Sequence, residues 1–210
     1  MARSDLETVK HVVQTMAQTA IDNEKYFCDL DAVVGDGDFG YSLARGFEKL
    51  LEDWDTLDDT NISTFLKKAS VIITSRIGGT SGPIWGTAFL RAATAVGDKQ
   101  ELTGTDVIAM LRAAIEGIKK RGQTDLGDKT LLDALVPAVD KLEQALNDGA
   151  DAPTALKEAA VAAREHAEAT KELLAKRGRA SYSGERSRGT VDAGAIAVAV
   201  MFEQVSKTWE

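Results

Sequence analysis

The stretch Ile62–Ile73, ISTFLKKASVII, decides between two folds. Its last three residues, Val71-Ile72-Ile73, are β-branched and by themselves favour a strand. With the residues before them they continue a different pattern: Ile62, Phe65, Leu66, Ala69, Ile72 and Ile73 form the stripe of an amphipathic helix. The helical reading is adopted, and it leaves no convincing strand anywhere in the chain.

The same period recurs on both sides. Leu6, Val9, Val13, Met16 and Ala20 mark a first helix, opened by Ser4 and Glu7 at the spacing of a capping box. Residues 40–52 carry Leu43, Phe47 and Leu50, and 53–60 form a polar connection. A helix is expected from Pro83 to about Val96, with proline tolerated in its first turn. Residues 103–121 repeat the pattern through Val107, Leu111, Ala114, Ile115 and Ile118, and 128–147 through Leu131, Leu135, Val139, Leu142 and Leu146. The segment 152–176 is rich in alanine, the best helix former, and stops at Gly178. The stretch AGAIAVAVMF, 193–202, is apolar all round and predicts a helix buried on every side. About eight helices with no internal repeat or break in composition predict one all-α domain over 1–210, an antiparallel bundle or barrel.

Composition narrows the function. Of 210 residues, 44% are hydrophobic and 28% charged, as in soluble globular proteins. A net charge of -8 argues against nucleic acid as a partner, because a phosphate backbone demands a basic surface. The single cysteine, Cys28, fits a reducing compartment. The start MARSDLETVKHVV lacks the apolar core of a leader, and no apolar run is long enough to span a membrane. A cytoplasmic protein with no membrane partner is expected.

In an up-and-down bundle alternate loops share one end, and four loops stand out: 31–40, 78–82, 121–130 and 178–194. The first, DAVVGDGDFG, sets Asp31, Asp36 and Asp38 close together. Such carboxylates repel unless a cation lies among them, and their oxygens suit Mg²⁺, Ca²⁺ or Mn²⁺. The loop matches no EF-hand pattern, and by itself a solvated Asp/Gly turn explains it equally well. The second, Gly78-Gly79-Thr80-Ser81-Gly82-Pro83, precedes a helix and would let an anion approach its amides, but it is neither a Walker A nor a Rossmann loop, and taken alone it reads first as a tight interhelical turn. In the third, Asp128 is the expected N-cap; Leu131 would cover a flat base, and Leu132 belongs to the core. The fourth holds Arg177, Arg179, Arg186 and Arg188 within an acidic protein, and arginine forks match phosphate. Jointly the loops describe magnesium-bridged nucleotide phosphates.

The segments LDAVVGDGDFG, GGTSGP followed by WGTAFLRAA, GDKTLLDAL with PAV, and GRASYSGERSRGTVDAGA resemble the nucleotide-binding L subunits of dihydroxyacetone kinases, a module that also forms the C-terminal half of single-chain ATP-dependent enzymes. The resemblance covers essentially the whole chain. It implies an eight-helix antiparallel barrel with ADP or ATP at one end. Asp31, Asp36 and Asp38 match the aspartates that hold two Mg²⁺ ions, and with Arg179 they form the implied catalytic set. Gly79, Thr80 and Ser81 match the phosphate turn. Gly122, Thr130 and Leu131 fall beside the adenosine, and Arg179, Asp192, Ala193 and Gly194 match further nucleotide contacts. Phe39, Gly40 and Ser42 occupy the nucleotide-facing positions after the third aspartate. Two of these depart from the family pattern: Phe39 stands where a histidine is usual and Ser42 where an asparagine is usual. Phe39 neither donates a hydrogen bond nor carries charge, so a related ketose such as erythrulose stays open.

The family holds its triose as a hemiaminal on a histidine of a separate K subunit or domain. Here only His11 and His166 occur, both in helical segments outside the loops. The chain therefore reads as half of a kinase, with a dihydroxyacetone-binding K subunit as partner. In one variant ADP stays bound as a coenzyme and is rephosphorylated by a phosphohistidine-carrying M subunit of the phosphotransferase system. In the other, ATP exchanges at each turnover. A non-catalytic nucleotide sensor that binds a regulator is the alternative from another class.

Overall fold

Residues 4–209 are described in the computed structural model; residues 1–3 and 210, the ends of the expected 1–210 domain and the first residues of MARSDLETVKHVV, lie outside the described residues. Val71 and Ile73 answer the strand-or-helix question. A strand would turn both to one face, whereas a helix places them about 200° apart. Val71 is 67% exposed and Ile73 is 0% exposed. Both lie in a helix running Ile62–Arg76.

The described residues form nine α-helices: α1 (Asp5–Asp22), α2 (Glu24–Asp31), α3 (Phe39–Glu52), α4 (Ile62–Arg76), α5 (Ser81–Val96), α6 (Gly104–Gly122), α7 (Leu132–Asn147), α8 (Ala152–Ala169) and α9 (Ala193–Thr208). No strand occurs among the described residues. Eight helices close a ring in the order α1, α3, α4, α5, α6, α7, α8, α9, with α9 packed back on α1. Neighbours in the ring are antiparallel. The short α2 is the addition to the eight; it lies against α3 and α9.

The ring encloses a core in which Phe27, Leu43, Phe47, Phe65, Ile73 and Ile196 are fully buried. A second cluster, including Ile115, Leu132, Val139 and Ala159, fills the space among α6, α7 and α8, and Leu131, Leu135 and Phe202 pack against both. The all-apolar stretch behaves as expected: seven consecutive residues, Ala195–Met201, are buried. On α8, Ala155, Ala159, Ala163 and Ala167 are fully buried, so the chain can come close to its neighbours without side-chain bulk.

Three boundaries shift for identifiable reasons. Lys129 takes φ 62°, which a continuing helix cannot contain, so α7 starts at Leu132 rather than 128. The helix expected over 152–176 stops at Ala169; a 3-10 turn, Thr170–Glu172, follows, and Leu173 is extended. Local propensity yields there to packing. Helix α5 starts at Ser81, two residues before Pro83.

Helices α4 and α5 meet most intimately at Gly86. Ser70 Oγ donates to the Gly86 carbonyl at 2.7 Å. A Cβ on residue 86 would overlap Thr74 Oγ1 and sit 3.0 Å from Thr74 Cβ. Gly86→Ala is therefore expected to lower the unfolding free energy by about 1–3 kcal/mol, the usual effect of overpacking. Urea denaturation checks this as a lower midpoint at unchanged m-value.

Candidate functional site

The beginnings of α3, α5, α7 and α9 meet the loops after α4 and α6 at one end of the ring, around a cleft of about 560 Å³. That volume lies in the usual range for small-molecule sites. All four loops contribute: Asp31, Asp36 and Asp38; Gly78–Ser81; Arg121, Gly122, Thr130 and Leu131; and Arg177–Ala180 with Val191–Gly194. The convergence expected from alternating helix direction is present.

The two ends of the ring differ in how their helices are capped. At the far end α1, α4, α6 and α8 are all closed by side chains: Ser4, Asn61, Thr103 and Asp151 each accept an amide of the first turn. At the cleft only α9 is closed in this way, by Asp192, which accepts from Ala195 N at 2.8 Å. Helices α3, α5 and α7 start at Asp38, Thr80 and Leu131 without a side-chain cap. At α3 and α7 the first amides are taken up nearby: Asp31 Oδ2 accepts from Phe39 N at 3.4 Å, Cys28 Sγ from Tyr41 N at 3.2 Å and Thr130 Oγ1 from Leu132 N at 3.2 Å. At α5 no side chain among the described residues takes an amide of the first turn, a missing cap that costs about 0.5–2 kcal/mol and leaves the positive end of the helix dipole facing the cleft. Such a surface binds anions.

Beside the start of α3 stands the acid cluster. Asp31, Asp36 and Asp38 each offer a carboxylate oxygen, and the three oxygens lie within 4.8 Å of one another. Asp31 is fixed by its own loop, accepting from Gly37 N at 2.9 Å. Gly37 has φ 76°, a conformation open to glycine, which returns the chain toward α3. Asp36 and Asp38 are turned toward solvent, and Arg179 pairs with both, with Asp38 at 3.2 Å. The arginine comes from 141 positions further along the chain. The guanidinium thus offsets part of the repulsion between these carboxylates.

The third loop is anchored by a residue that sequence reading missed. Buried Asp133 accepts from Gly127 N at 2.6 Å and Thr130 N at 2.7 Å. Asp128, the expected N-cap, does not cap α7; it accepts from Asp125 N at 3.2 Å and pairs with Lys176 at 3.1 Å, joining the third loop to the fourth. An acidic residue three positions after Thr130 was the available signal for Asp133. Ser183 Oγ donates to the Val34 carbonyl at 3.0 Å, which links the fourth loop to the first.

Of the residues singled out, Phe39, Ser42, Gly79, Thr80, Ser81, Gly122, Thr130, Leu131, Asp192, Ala193 and Gly194 line the cleft. Gly40 lies behind its wall, where a Cβ would meet the Glu24 carbonyl and sit 2.7 Å from Cys28 N. Phe39 packs near Phe27, ring centroids 6.3 Å apart. Leu132 is core, as expected. Neither histidine lines the cleft: His11 Nε2 is 3.1 Å from the Thr208 carbonyl, and His166 is exposed on α8. No helix among the described residues is long and apolar enough to cross a membrane.

Residues 33–207 match the model of the DAK2 domain. The chain belongs to this family. It is 38% identical over 182 residues to the ADP-binding subunit DhaL of the PEP-dependent dihydroxyacetone kinase of Escherichia coli (strain K12), covering 87% of each chain. It is 39% identical over 181 residues to an L-erythrulose kinase of Pectobacterium atrosepticum, covering 84% of this chain and 30% of that protein. The crystal structure of the dihydroxyacetone kinase from C. freundii in complex with AMP-PNP and Mg²⁺ superposes with a TM-score of 0.75 at 27% identity, covering 99% of this chain and 34% of that one. This DAK2 domain thus spans about a third of those two longer proteins and nearly nine-tenths of the free-standing subunit.

Asp192 gives the DAK2 domain a pH response. The residue as a whole is half-buried, but its carboxyl is enclosed by protein. That burial pushes it up to about 7; Asp133 and Asp31 add to the rise, and the Ala195 amide and Lys129 oppose it. An unfolded aspartate releases its proton near pH ~3.9. Between that pH and about 7 the folded chain holds a proton the unfolded chain has lost, so stability falls as pH rises through this window and levels off above it. Asparagine caps a helix as well as aspartate but does not titrate. Asp192→Asn is expected to melt close to the parent at pH 5 and above it at pH 8; thermal denaturation at both values checks this.

Proposed function

We propose that this chain, as a single domain over residues 1–210, is the nucleotide-binding subunit of a dihydroxyacetone kinase. The observation that carries the reading is the meeting of three carboxylates, the open start of α5 and Arg179 in one cleft. The match to an ADP-binding subunit over 87% of both chains supports it.

The donor set fits magnesium, since carboxylate oxygens suit small hard cations that share their remaining positions with phosphates. Asp31, Asp36 and Asp38 would hold two ions. Magnesium bound there neutralises charge on the nucleotide phosphates. The start of α5, at Thr80 and Ser81, takes phosphate oxygens on backbone amides, and Arg179 stabilises the transferring group. Gly122, Thr130 and Leu131 border the adenosine, and Asp192–Gly194 the remaining wall. With no histidine in the cleft, the ketose is carried by a separate K subunit, whose own groups must take up the hydroxyl proton. ADP remains as a coenzyme and is recharged by a phosphohistidine protein of the phosphotransferase system. The single Cys28 and the charge of -8 fit a cytoplasmic setting without nucleic acid. Phe39, in place of a histidine, and the likeness to an L-erythrulose kinase favour a second reading, an ATP-dependent subunit acting on erythrulose. Retention of all three aspartates favours either kinase reading over a non-catalytic sensor.

Asp36→Ala is expected to abolish magnesium-dependent ADP binding in titration calorimetry while leaving the far-ultraviolet spectrum unchanged; unaltered ADP affinity would overturn the metal assignment. The purified chain alone is expected to phosphorylate no ketose from either donor. Added K subunit should restore turnover, and comparison of dihydroxyacetone with erythrulose then separates the two kinase readings. Turnover by the isolated chain would refute the division of labour.

A further inference from the structure

Lys129 is the one buried basic residue among the described residues, at 2% exposure. Its backbone lies in the left-handed region, φ 62°, where a lysine is rarely found. A buried ammonium on a strained backbone persists only when its surroundings compensate for both. The compensation is specific. Nζ donates to the carbonyls of Thr190 at 2.6 Å, Leu173 at 3.3 Å and Ser187. Three donors meet three main-chain oxygens, which is the full capacity of the group. Burial pulls its pKa down, and the nearby Asp192 carboxylate raises it.

Those oxygens mark the two ends of one segment. Residues 173–190 leave the ring after α8, pass over the cleft and return to α9. Within the segment Arg179 lies between Gly178 and Gly184, both at positive φ, 62° and 55°. These glycines are the points where the backbone turns most freely. The tip is held only by Arg179 on the acids and by Ser183 on the Val34 carbonyl. The base is held from below by Lys129, and beside it the Asp128 carbonyl accepts from Lys176 N at 3.1 Å, Ser187 Oγ accepts from Ala175 N at 3.0 Å and the Lys171 carbonyl accepts from Gly189 N at 2.8 Å; of these only Lys129 reaches both ends from another loop.

We propose that Lys129 is the positioning residue for Arg179: by clasping both ends of the 173–190 segment it sets where that guanidinium stands over the acid cluster. A lysine suits the task because one flexible stem gathers three carbonyls. The inference rests on the nucleotide reading only for its affinity readout. That readout is a double-mutant cycle on Mg-ADP binding, measured by calorimetry on the full chain. Lys129→Met is expected to weaken binding about tenfold, the scale of a lost charge-assisted hydrogen bond, with helicity retained. In an Arg179→Ala background the same substitution should change affinity less than about twofold, because coupled sites are not additive. Lys129→Arg, which keeps charge and donors, should restore most of the loss. A purely structural lysine would act independently of Arg179, and multiplying effects would overturn the proposal, as would unchanged affinity in Lys129→Met. Should Lys129→Met fail to fold, Lys129→Gln replaces it in every arm. If the parent chain binds no Mg-ADP, the nucleotide reading falls by itself, and cleavage after Arg177, Arg179 and Arg186 by an arginine-specific protease decides the clasp. Cleavage about tenfold faster in the ligand-free Lys129 variant supports it, since local opening exposes the segment; an unchanged rate overturns it.

Discussion

Closure of eight antiparallel helices into a ring is the constraint on which the rest depends. Because direction alternates, every second helix must begin at the same end, so α3, α5, α7 and α9 all present their N-termini to one cleft. The sum of their dipoles gives that end a positive, amide-rich floor. The far end carries the same number of helix starts and closes each with its own side chain. The contrast lies in the capping residue alone. Leaving α5 open sacrifices stability that a serine or aspartate would supply, and the amides so released are what an anion can use.

The acid cluster makes sense only against that floor. Carboxylates beside helix starts are stabilised by the dipoles, yet three within 4.8 Å also repel one another. The site thus sets negative side chains beside positive helix starts, a charge arrangement in which a counter-cation is favoured. Arg179 supplies one from the opposite loop. The loops that carry these groups are held from beneath: Asp133 shapes the third, Asp128 and Lys129 bind the third to the fourth, and Thr170 Oγ1 accepts from Asp192 N at 2.8 Å where the fourth rejoins α9. Polar groups that look like loop decoration are thus the internal frame of the cleft.

What the cleft lacks is as informative for function as what it contains. His11 and His166 stand away from it. Val33, next to cleft-lining Val34, and Tyr182 are exposed to solvent.

The sequence by itself determined the helices, because their signal is local: a stripe at three and four residues is written in neighbouring side chains, and it outweighed the β-branching of Val71–Ile73. It also singled out the four loops that meet at the cleft, since clustered like charges and small residues are legible without coordinates. Boundaries set by single backbone conformations were not legible; nothing in GDKT announces that Lys129 adopts φ 62° and delays α7, or that Asp133 rather than Asp128 organises the turn. Only the tertiary structure decided that Arg179 meets Asp36 and Asp38, that Gly40 packs behind the wall, and that one lysine is buried among carbonyls. Those pairings join segments far apart in the chain, and they exist because ring closure brings the ends of alternate helices to one place.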